Sequence, residues 1–462
     1  MNEMKNMEND ITAIINNPGI ESEERLEALR TLCAARDWRP GAANPAGPGG
    51  GEVNNHIHTV YSFSPYTPAM AALGARRAGL EAAGSVDHDS CAAAPEMIAA
   101  CALLGMGGCS GFEIRVSFKT GADGRPGPFA ERKINNPDSE GYVYMTIQGV
   151  PSAALEKTAA FLKPVREKRL ERSRAMNERM GALLDEAGFG AASFEEEVVQ
   201  KSQYLRGGEV TERHLLAAAA EKIIARRGRG PDLPAALKKR LGIEPGPKLQ
   251  GLLSDAANPH YLYDLLGILK TEFLPRFFIQ PGGDECIPAK RAVDFALSTG
   301  AIPAYAYLGD VADSPTGDKK AEKFEDDFLP ELFEELKKFG YRAVTYMPPR
   351  NTPAQIARIQ RFCAEGGFME ISGVDINSSR QSFNCPEVLS ENCKHLVDTT
   401  WALITHERLA SADNRWSLFS PANPLASLSL EKRIILYAKA GKSLDLHHPD
   451  ESVPALMKKL QS

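Results

Sequence analysis

Long apolar runs are missing from this sequence of 462 residues. The longest, such as Pro68–Leu73 and Leu215–Ala220, fall far short of the roughly 18–20 residues with which a helix crosses a bilayer. The amino-terminal stretch MNEMKNMEND carries acidic residues and has no apolar core of the kind found in signal peptides. The sequence therefore predicts a cytoplasmic protein without a membrane partner.

The sequence also has no large excess of one charge, since it contains 54 Lys and Arg residues and 60 Asp and Glu residues. A net charge of −6 gives no general attraction for nucleic acid or anionic membranes, which weighs against long nucleic acid as a partner. The eight cysteines show neither CxxC nor zinc-finger spacing, so we expect free thiols in a reducing compartment. P-loops, dinucleotide fingerprints and the GxSxG elbow are also missing.

The ends of the chain differ in pattern from its middle. Apolar residues at three- and four-residue spacing predict helices in residues 1–40, and a segment dense in Gly and Pro, residues 40–52, predicts a flexible tether. We therefore expect residues 1–50 to form a helical extension with a tether, and residues 51–462 to form one barrel domain. Residues 225–282 predict an insertion, either a cap over one barrel mouth or a plain helical excursion.

From residue 53 onward, short apolar runs alternate with amphipathic helical stretches. The predicted strands are Val53–Thr59, Ala82–Asp87, Gly108–Val116, Tyr142–Val150, Ile302–Tyr307, Arg342–Met347 and Gly367–Asp375. Helices are predicted at Met70–Gly79, Ala154–Gly188, Glu285–Thr299, Phe324–Phe339 and Pro353–Glu365. Such alternation favours a parallel sheet with helices outside it, and the number of units favours a closed or nearly closed barrel. The predicted fold class is α/β, a TIM-like barrel with a helical insertion.

Five short motifs carry polar residues that could do chemistry. They are His56 and His58 in HIHT, His88 in VDHDS, Glu113 in GFEIR, His214 in ERHLL, and Asp375 with Asn377 in GVDIN. Residues i and i+2 of a strand point to one side, so the HxH pair can grip one metal ion. A histidine flanked by carboxylates suits a metal ligand or an acid–base group, and a carboxylate among apolar residues needs a cation or a donor. Most of the motifs follow predicted strands, at the rim where barrel active sites assemble.

Each motif also has an interpretation without chemistry. These are histidines at the edge of the core, a helix cap at Asp89 or Ser90, a Glu113–Arg115 pair, a surface His214 behind a Thr211 cap, and an Asx turn at Asp375. Taken singly, every motif leaves both interpretations open. Their shared position at successive strand ends favours a common site.

In this order, the motifs HIHTVYS, VDHDS, GFE, ERHLL and SGVDIN resemble those of the PHP (polymerase and histidinol phosphatase) superfamily. The resemblance covers roughly residues 52–220 and 285–380. It implies a distorted (β/α)7 barrel, a cluster of divalent metal ions and hydrolysis of phosphate esters. For this sequence it implies a first ion held by His56, His58, Glu113 and Asp375.

The resemblance also implies that the other two ion sites of the family are incomplete here. His214 and the shared Glu113 match the second site, but Gln148 stands where the family has an imidazole. His88 matches the third site, whereas Asn377 replaces its last histidine. Gln148 and Asn377 still offer carbonyl oxygens, which are weaker ligands than imidazole.

Two further positions depart from the family pattern. Phe63, or Ser64 with a shift of one residue, replaces another ligand of the third site, and Tyr307 stands where many relatives have histidine. We therefore expect one or two transition metal ions, Zn, Mn or Fe. We also expect His88 to act as general acid or base if it binds no ion.

A phosphate substrate needs cations, and the arginine fork matches phosphate oxygens. Four arginines are predicted near the mouth: Arg115, Arg213, Arg350 and Arg380. The sequence thus predicts metal-dependent hydrolysis of a phosphate ester in a small metabolite or nucleotide. The alternatives are a ligand-binding or regulatory protein with weakened catalysis and an exonuclease on short oligonucleotides, and the oligomeric state stays open.

Overall fold

The computed structural model describes residues 2–35, 51–136, 138–310 and 325–461. Most of the predicted tether, residues 40–52, lies outside the described residues. The strands are β1 Val53–Ile57, β2 Ala82–His88, β3 Gly107–Ser117, β4 Tyr142–Gln148, β5 Ile302–Ala306, β6 Ala343–Tyr346 and β7 Met369–Ser372. Each predicted strand is therefore present, with ends that differ by a few residues.

The helices of the described residues surround this sheet. They are α1 Asn2–Ile15, α2 Ser22–Ala35, α3 Pro68–Arg77, α4 Ala94–Leu103, α5 Leu155–Glu186, α6 Glu212–Arg227, α7 Asp232–Leu241, α8 Pro247–Ser254, α9 Tyr261–Glu272, α10 Ala289–Thr299, α11 Leu329–Phe339, α12 Pro353–Gly366, α13 His395–Ala412, α14 Leu430–Gly441 and α15 Val453–Gln461. None of these described helices is both long and apolar enough to span a bilayer.

The strands form one seven-stranded sheet in sequence order, β1 to β7. The chain just after β7 returns to β1, where Ile57 and Ile376 form a parallel bridge and the His58 N–H donates to the Ile376 carbonyl at 2.9 Å. The sheet is therefore nearly closed and barrel-shaped. Apolar side chains of the strands and of the helices outside them, such as Phe112 and Leu336, share one buried core.

The expectation of a fully parallel sheet is wrong for β4, which runs antiparallel to both β3 and β5. The connection from β3 to β4 contains no helix among its described residues, so the chain turns back directly instead of crossing over. Only a crossover of a dozen or more residues, usually a helix, brings a chain back parallel. The carboxyl end of β4 therefore faces the opposite end of the barrel from the carboxyl ends of the other strands.

The amino-terminal extension is helical as predicted, and α1 and α2 pack against α3 and α4. Ile15, Leu29 and Leu32 are buried in an apolar cluster with residues of those two helices. The Arg25 Nη2 atom lies 2.5 Å from Glu96 Oε2, and both side chains are buried. An apolar layer and a buried ion pair thus fasten the two helices to the barrel.

The inserted helices α7, α8 and α9 form a second apolar cluster together with α6, through residues such as Leu216, Leu237 and Leu265. Lys270 and Thr271 on α9 line a cavity at the mouth of the barrel. Of the two interpretations of residues 225–282, the structure supports a cap over one mouth.

Candidate metal centre

The strands bring five of the proposed site residues to one rim of the barrel. His56 ends β1 together with Ile57, and His58 follows two residues later on the same side. His88 at the end of β2 is the register partner of Glu113 on β3. Asp375 follows β7 and precedes Ile376, which bridges to β1. Closure of the sheet therefore sets Asp375 beside the two histidines of β1.

The ligand atoms of these side chains lie close together. The His56 Nε2 atom lies 3.3 Å from His58 Nε2 and 3.2 Å from Glu113 Oε2. The His58 Nε2 atom also lies 3.3 Å from Asp375 Oδ1. His56, His58 and Glu113 each offer a ligand atom within 4.8 Å of the others. Two imidazole nitrogens and one carboxylate oxygen thus form one group, and Asp375 adjoins it through His58.

This geometry fits one divalent metal ion. Two adjacent ligand atoms, each at the roughly 2.0–2.1 Å typical of zinc, lie about 3.3 Å apart around a tetrahedral ion. Mixed imidazole and carboxylate ligands suit Zn, Mn or Fe and do not select one of them. Bringing the His56, His58 and Glu113 side chains together without a cation would be costly, because each of the three has lost most of its hydration.

The hydrogen bonds around His58 fix the position of its proton. The Ser62 hydroxyl donates to Asp87 Oδ1 at 2.6 Å, so its oxygen can accept from His58 Nδ1, which lies 3.1 Å away. The neutral ring then carries its proton on Nδ1 and directs the lone pair of Nε2 at the cluster. Partners of this kind orient metal-binding histidines in proteins. No sequence pattern pointed to Ser62, and Asp87 was noted only as a carboxylate beside His88.

Asp87 is well placed to anchor this chain of hydrogen bonds. Burial raises the pKa of its carboxyl group, yet the two oxygens accept hydrogen bonds from the Thr59 N–H and hydroxyl, both at 2.7 Å, besides the bond from Ser62. Three donors around one carboxyl group are the environment of a carboxylate. The hydrogen bonds therefore have one direction: His58 donates to Ser62, and Ser62 donates to Asp87.

The charges of the cluster shift the pKa values of its members in opposite directions. Burial lowers the pKa of His58. Burial acts the same way on His56, but the hydrogen bond and charge of Glu113 outweigh it and raise the pKa of His56. Burial alone would raise the pKa of Asp375, but the two histidines, Arg213 and Lys270 lower it. Asp375 is therefore a carboxylate ready to bind a cation.

A glycine permits the close approach of the last strand. A Cβ atom at Gly373 would lie 2.5 Å from the Cβ atom of His56 and 2.8 Å from its backbone nitrogen. Real Cβ atoms do not approach backbone so closely, so only glycine fits between β1 and the segment that carries Asp375.

His88 lies beside the cluster and faces the cavity. Its Nδ1 atom is 3.4 Å from Glu113 Oε1, and its ring centroid is 4.6 Å from that of His58. Burial, the ring of His58 and the charges of Arg169 and Arg115 hold the pKa of His88 well below its ordinary value. The ring is therefore neutral near pH 7 and can accept a proton.

A buried ion network holds the loop that follows His88. Asp89 adopts a left-handed backbone with φ of 47°, which is uncommon outside glycine. Its N–H donates to the Glu113 carbonyl at 2.7 Å, and its carboxylate lies 3.0 Å from Arg169 Nη1. The same network contains Glu285, Arg115, Arg172 and Glu212. It connects β2 and β3 to α5, the start of α6 and the segment before α10.

The structure places Gln148 away from the proposed metal site. On the antiparallel β4, Gln148 pairs with Gly111, whereas Thr146 pairs with Glu113 and Tyr144 with Arg115. Gln148 therefore lies below the cluster, inside the barrel, and its Oε1 atom is buried without a hydrogen-bond partner. The assignment of Gln148 came from the family resemblance, which puts this ligand after the fourth strand, and on the antiparallel β4 that end lies away from the rim. Tyr144, which was not predicted, lines the cavity instead.

His214 lies outside the group formed by His56, His58 and Glu113. The Thr211 N–H donates to His214 Nδ1 at 3.0 Å, as part of a capping box at the start of α6. A neutral ring whose Nδ1 accepts must carry its proton on Nε2, which leaves no lone pair for an ion. The ring packs edge-on against Phe63 at 5.0 Å and lines a different cavity. The Thr211 cap of the alternative interpretation is present, but the ring is buried.

The remaining substituted positions have other contacts. The Asn377 side chain donates to Asp375 Oδ1 at 2.7 Å, so Asn377 orients a proposed ligand. Tyr307 presents its ring to the cavity while its hydroxyl donates to Asp326 Oδ1 at 2.5 Å. Ser64, like Phe63, lines the cavity that contains His214.

The four predicted arginines divide into two pairs. Arg213 and Arg350 line the cavity that contains the cluster. Arg115 instead lies 2.6 Å from Glu285 Oε1 in the buried network, and Arg380 forms an ion pair with Asp264 through two nitrogens. The expectation that Arg115 and Arg380 bind phosphate is therefore not supported, because carboxylates distant in sequence already bind their guanidinium groups.

The cluster opens into a cavity of about 390 Å³. Its polar wall includes Arg213, Lys270 and Arg350, and its other wall includes the rings of Tyr144, Tyr307 and Tyr346. Lys270 comes from the inserted α9, so the cap completes the cavity.

Comparisons with known proteins show only a similar path of the backbone. No family model and no curated protein matches the chain. It is similar to the structure of an amidohydrolase from Chromobacterium violaceum with bound sulfate and no metal, with 17% identity, a TM-score of 0.45, and coverage of 72% of this chain and 90% of that one. It is also similar to a protein from Bifidobacterium adolescentis assigned as a metal-dependent phosphoesterase, with 17% identity, a TM-score of 0.44, and coverage of 76% and 96%. Scores this low carry no argument about function.

Proposed function

We propose that the protein is a metal-dependent hydrolase that cleaves a phosphate ester in a small molecule. The observation that carries the proposal is the group of His56, His58 and Glu113, whose ligand atoms lie within 4.8 Å of one another, with Asp375 Oδ1 3.3 Å from His58 Nε2, beside a cavity with cationic residues. A divalent ion held there supplies charge that activates water and stabilises the oxygens of a phosphoryl group.

The cations of the cavity favour phosphate over a neutral ester or amide. Arg213 is half-buried, and no ion pair or hydrogen bond engages its guanidinium group within the part of the chain that the structure describes. Its charge and that of Lys270 both reach Asp375 and lower the pKa of that carboxyl group. Their position beside the metal ligands suits an anion that contacts an ion and a guanidinium fork at once.

Two groups of the chain are placed to act on the substrate. His88, neutral and directed at the cavity, accepts a proton from the attacking water. Tyr144 lies above Glu113 on the facing strand and orients the substrate through its hydroxyl. The Asp87–Ser62–His58 hydrogen bonds keep the metal-binding nitrogen of His58 deprotonated.

The size of the cavity limits the substrate. About 390 Å³ lies within the range of small-molecule sites. The cap formed by α9 closes one side, and the net charge of −6 gives no support for binding a long polyanion.

The test is a phosphatase assay on the full chain after chelation and reloading with Mn, Zn or Fe. Activity on p-nitrophenyl phosphate should depend on the metal and be lost in His58→Ala, with p-nitrophenyl acetate as the comparison for a non-phosphate ester. His447→Ala is the matched control, because His447 is exposed near the carboxyl terminus. Metal-independent turnover, or full activity in His58→Ala, would refute the proposal.

One observation favours a second candidate, a ligand-binding protein of the same cavity with weak catalysis. Gln148 pairs with Gly111 and the Nδ1 atom of His214 accepts the Thr211 N–H, so the two positions that the family resemblance assigns to a second ion have other contacts. In that case a phosphorylated ligand would raise the unfolding temperature while no metal supports turnover. Short oligonucleotides in the same assay would reveal exonuclease activity.

A further inference from the structure

A second cavity, of about 250 Å³, lies beside the first turn of α6. Arg213 lines the metal cavity and its neighbour His214 lines this one, because consecutive helical residues point about 100° apart. Phe63, Ala217 and Tyr263 form further parts of the wall. Pro18, from the turn between α1 and α2, contributes another part, so the amino-terminal extension helps to build the cavity.

His214 presents a hydrogen-bond donor to this cavity. The Thr211 N–H occupies Nδ1 at 3.0 Å, so the neutral ring keeps its proton on Nε2. The structure shows no partner for Nε2 within the described residues. Burial lowers the pKa of the ring to about 3, so it remains neutral and keeps this tautomer at ordinary pH. A ligand must therefore offer an acceptor.

The walls favour an uncharged, flat ligand. Phe63 packs against Tyr263, with ring centroids 6.0 Å apart, and aliphatic side chains complete the surface. The charged lining residues compensate one another: Lys201 pairs with Glu221, and Glu197 pairs with Lys222 at 2.8 Å. No net charge remains to attract an ion.

The backbone of Phe63 adopts a conformation that aromatic residues rarely tolerate. Its φ of 90° lies in the left-handed region, where a bulky side chain strains the backbone. Strain of this kind persists where the surroundings hold a side chain in a defined place. Here it holds the ring at the boundary of the cavity.

We propose that this second cavity binds a neutral aromatic molecule whose carbonyl or ring acceptor receives the hydrogen bond of His214 Nε2–H. The site is separate from the metal cluster and does not depend on the proposed hydrolase activity. Two rings and the fixed donor of His214 recognise an aromatic amide, since the ring packs on apolar walls and the carbonyl accepts; the Ser64 hydroxyl, which is buried without a hydrogen-bond partner, lines the same cavity.

The test is ligand-observed NMR with benzamide and toluene on the full, metal-stripped chain. Benzamide should bind, and His214→Phe should weaken it about tenfold, the upper end of what one hydrogen bond contributes. Toluene, which has no acceptor, should bind the wild-type chain and His214→Phe alike. His214→Gln retains an N–H donor and should restore much of the benzamide affinity.

Two further variants locate the site. Ala217→Leu fills the cavity and should abolish binding of both probes, whereas Arg226→Ala, exposed in the last turn of α6, should change neither. The proposal is overturned if benzamide does not bind, if it binds His214→Phe as well as the wild type, or if Ala217→Leu leaves binding intact. Circular dichroism of each variant separates lost binding from lost folding.

Discussion

His58 and His214 are both buried imidazoles, and both belong to motifs that resemble metal ligands, yet their surroundings give them opposite chemistry. His58 lies 3.1 Å from a serine hydroxyl that donates onward to Asp87, so its proton is on Nδ1 and its Nε2 keeps a lone pair, as a metal ligand needs. His214 accepts a backbone N–H at Nδ1, so its Nε2 is a donor. The hydrogen bonds near β1 thus suit the proposed cation, and those at the start of α6 suit a hydrogen-bond acceptor.

The difference shows that neither burial nor motif decides what a histidine does. The partner of the other ring nitrogen decides which tautomer is present, and the tautomer decides between ligand and donor. A serine that itself donates to a carboxylate makes a ligand, and a helix cap that uses a backbone N–H makes a donor.

The largest effect should come from removing the two rings in turn. His58→Ala is expected to lose bound metal and to reduce hydrolysis on the order of a thousandfold, because the ion that activates water would lose a ligand. His214→Ala should retain its metal. Mass spectrometry of metal content after dialysis checks both variants, and loss of metal from His214→Ala would break the comparison.

The ion network that supports both regions should have the next largest effect. Arg169 lies 3.0 Å from Asp89 and 3.3 Å from Glu285, and its side chain is 3% exposed. Arg169→Met leaves buried carboxylates unpaired and should lower the free energy of unfolding by about 3–5 kcal/mol. The neighbouring Lys168→Ala removes only an exposed pair with Glu171 and should change the free energy of unfolding far less. Urea unfolding measures the two; equal values would contradict a structural role for Arg169.

A smaller effect is expected from Ser62→Ala, which interrupts the hydrogen bonds from Asp87 to His58. The ring keeps its place in the cluster but loses the acceptor that holds its proton on Nδ1. Metal affinity should fall about 10- to 100-fold, as is typical when such an orienting partner is removed. Titration with a competing chelator gives the affinity, and an unchanged value would show that the tautomer of His58 is set by the ion alone.

The smallest effect is a pH dependence of stability. The folded pKa of His214 is about 3, below its ordinary value of 6.5, so between these values only the unfolded chain binds the proton. Stability therefore falls as the pH falls through this window, by about 1.4 kcal/mol per pH unit for this one group. His214→Phe should lack this part of the slope. Urea unfolding at pH 5.5 and 4.5 measures it, and parallel slopes in both proteins would contradict the lowering of the His214 pKa by burial.

Local patterns sufficed for the strands and for one group of proposed ligands. His56 and His58 share a side because side chains alternate along a strand, and Glu113 meets His88 because β2 and β3 are adjacent and parallel. Asp375 joins them once the sheet closes between Ile57 and Ile376. Each of these steps depends on short-range periodicity and on the usual order of a barrel.

Gln148, Arg115 and Arg380 show where such patterns fail. The direction of β4 depends on a connection without a crossover helix. The end of the barrel at which Gln148 lies could therefore not be predicted from the strand pattern alone. Arg115 meets Glu285, which is 170 residues away in the chain. The spacing of residues along the sequence does not predict an ion pair between groups so far apart in the chain.

Residue order and side-chain alternation, which are local properties, were enough to indicate an α/β barrel and a rim with histidines and carboxylates. Which nitrogen of a ring carries the proton, which arginine remains unpaired and which cavity a side chain enters were settled only in three dimensions. These properties depend on hydrogen bonds and charges between groups far apart in the chain, such as Asp87 with Ser62, 25 residues away, and they exist only once the sheet has closed.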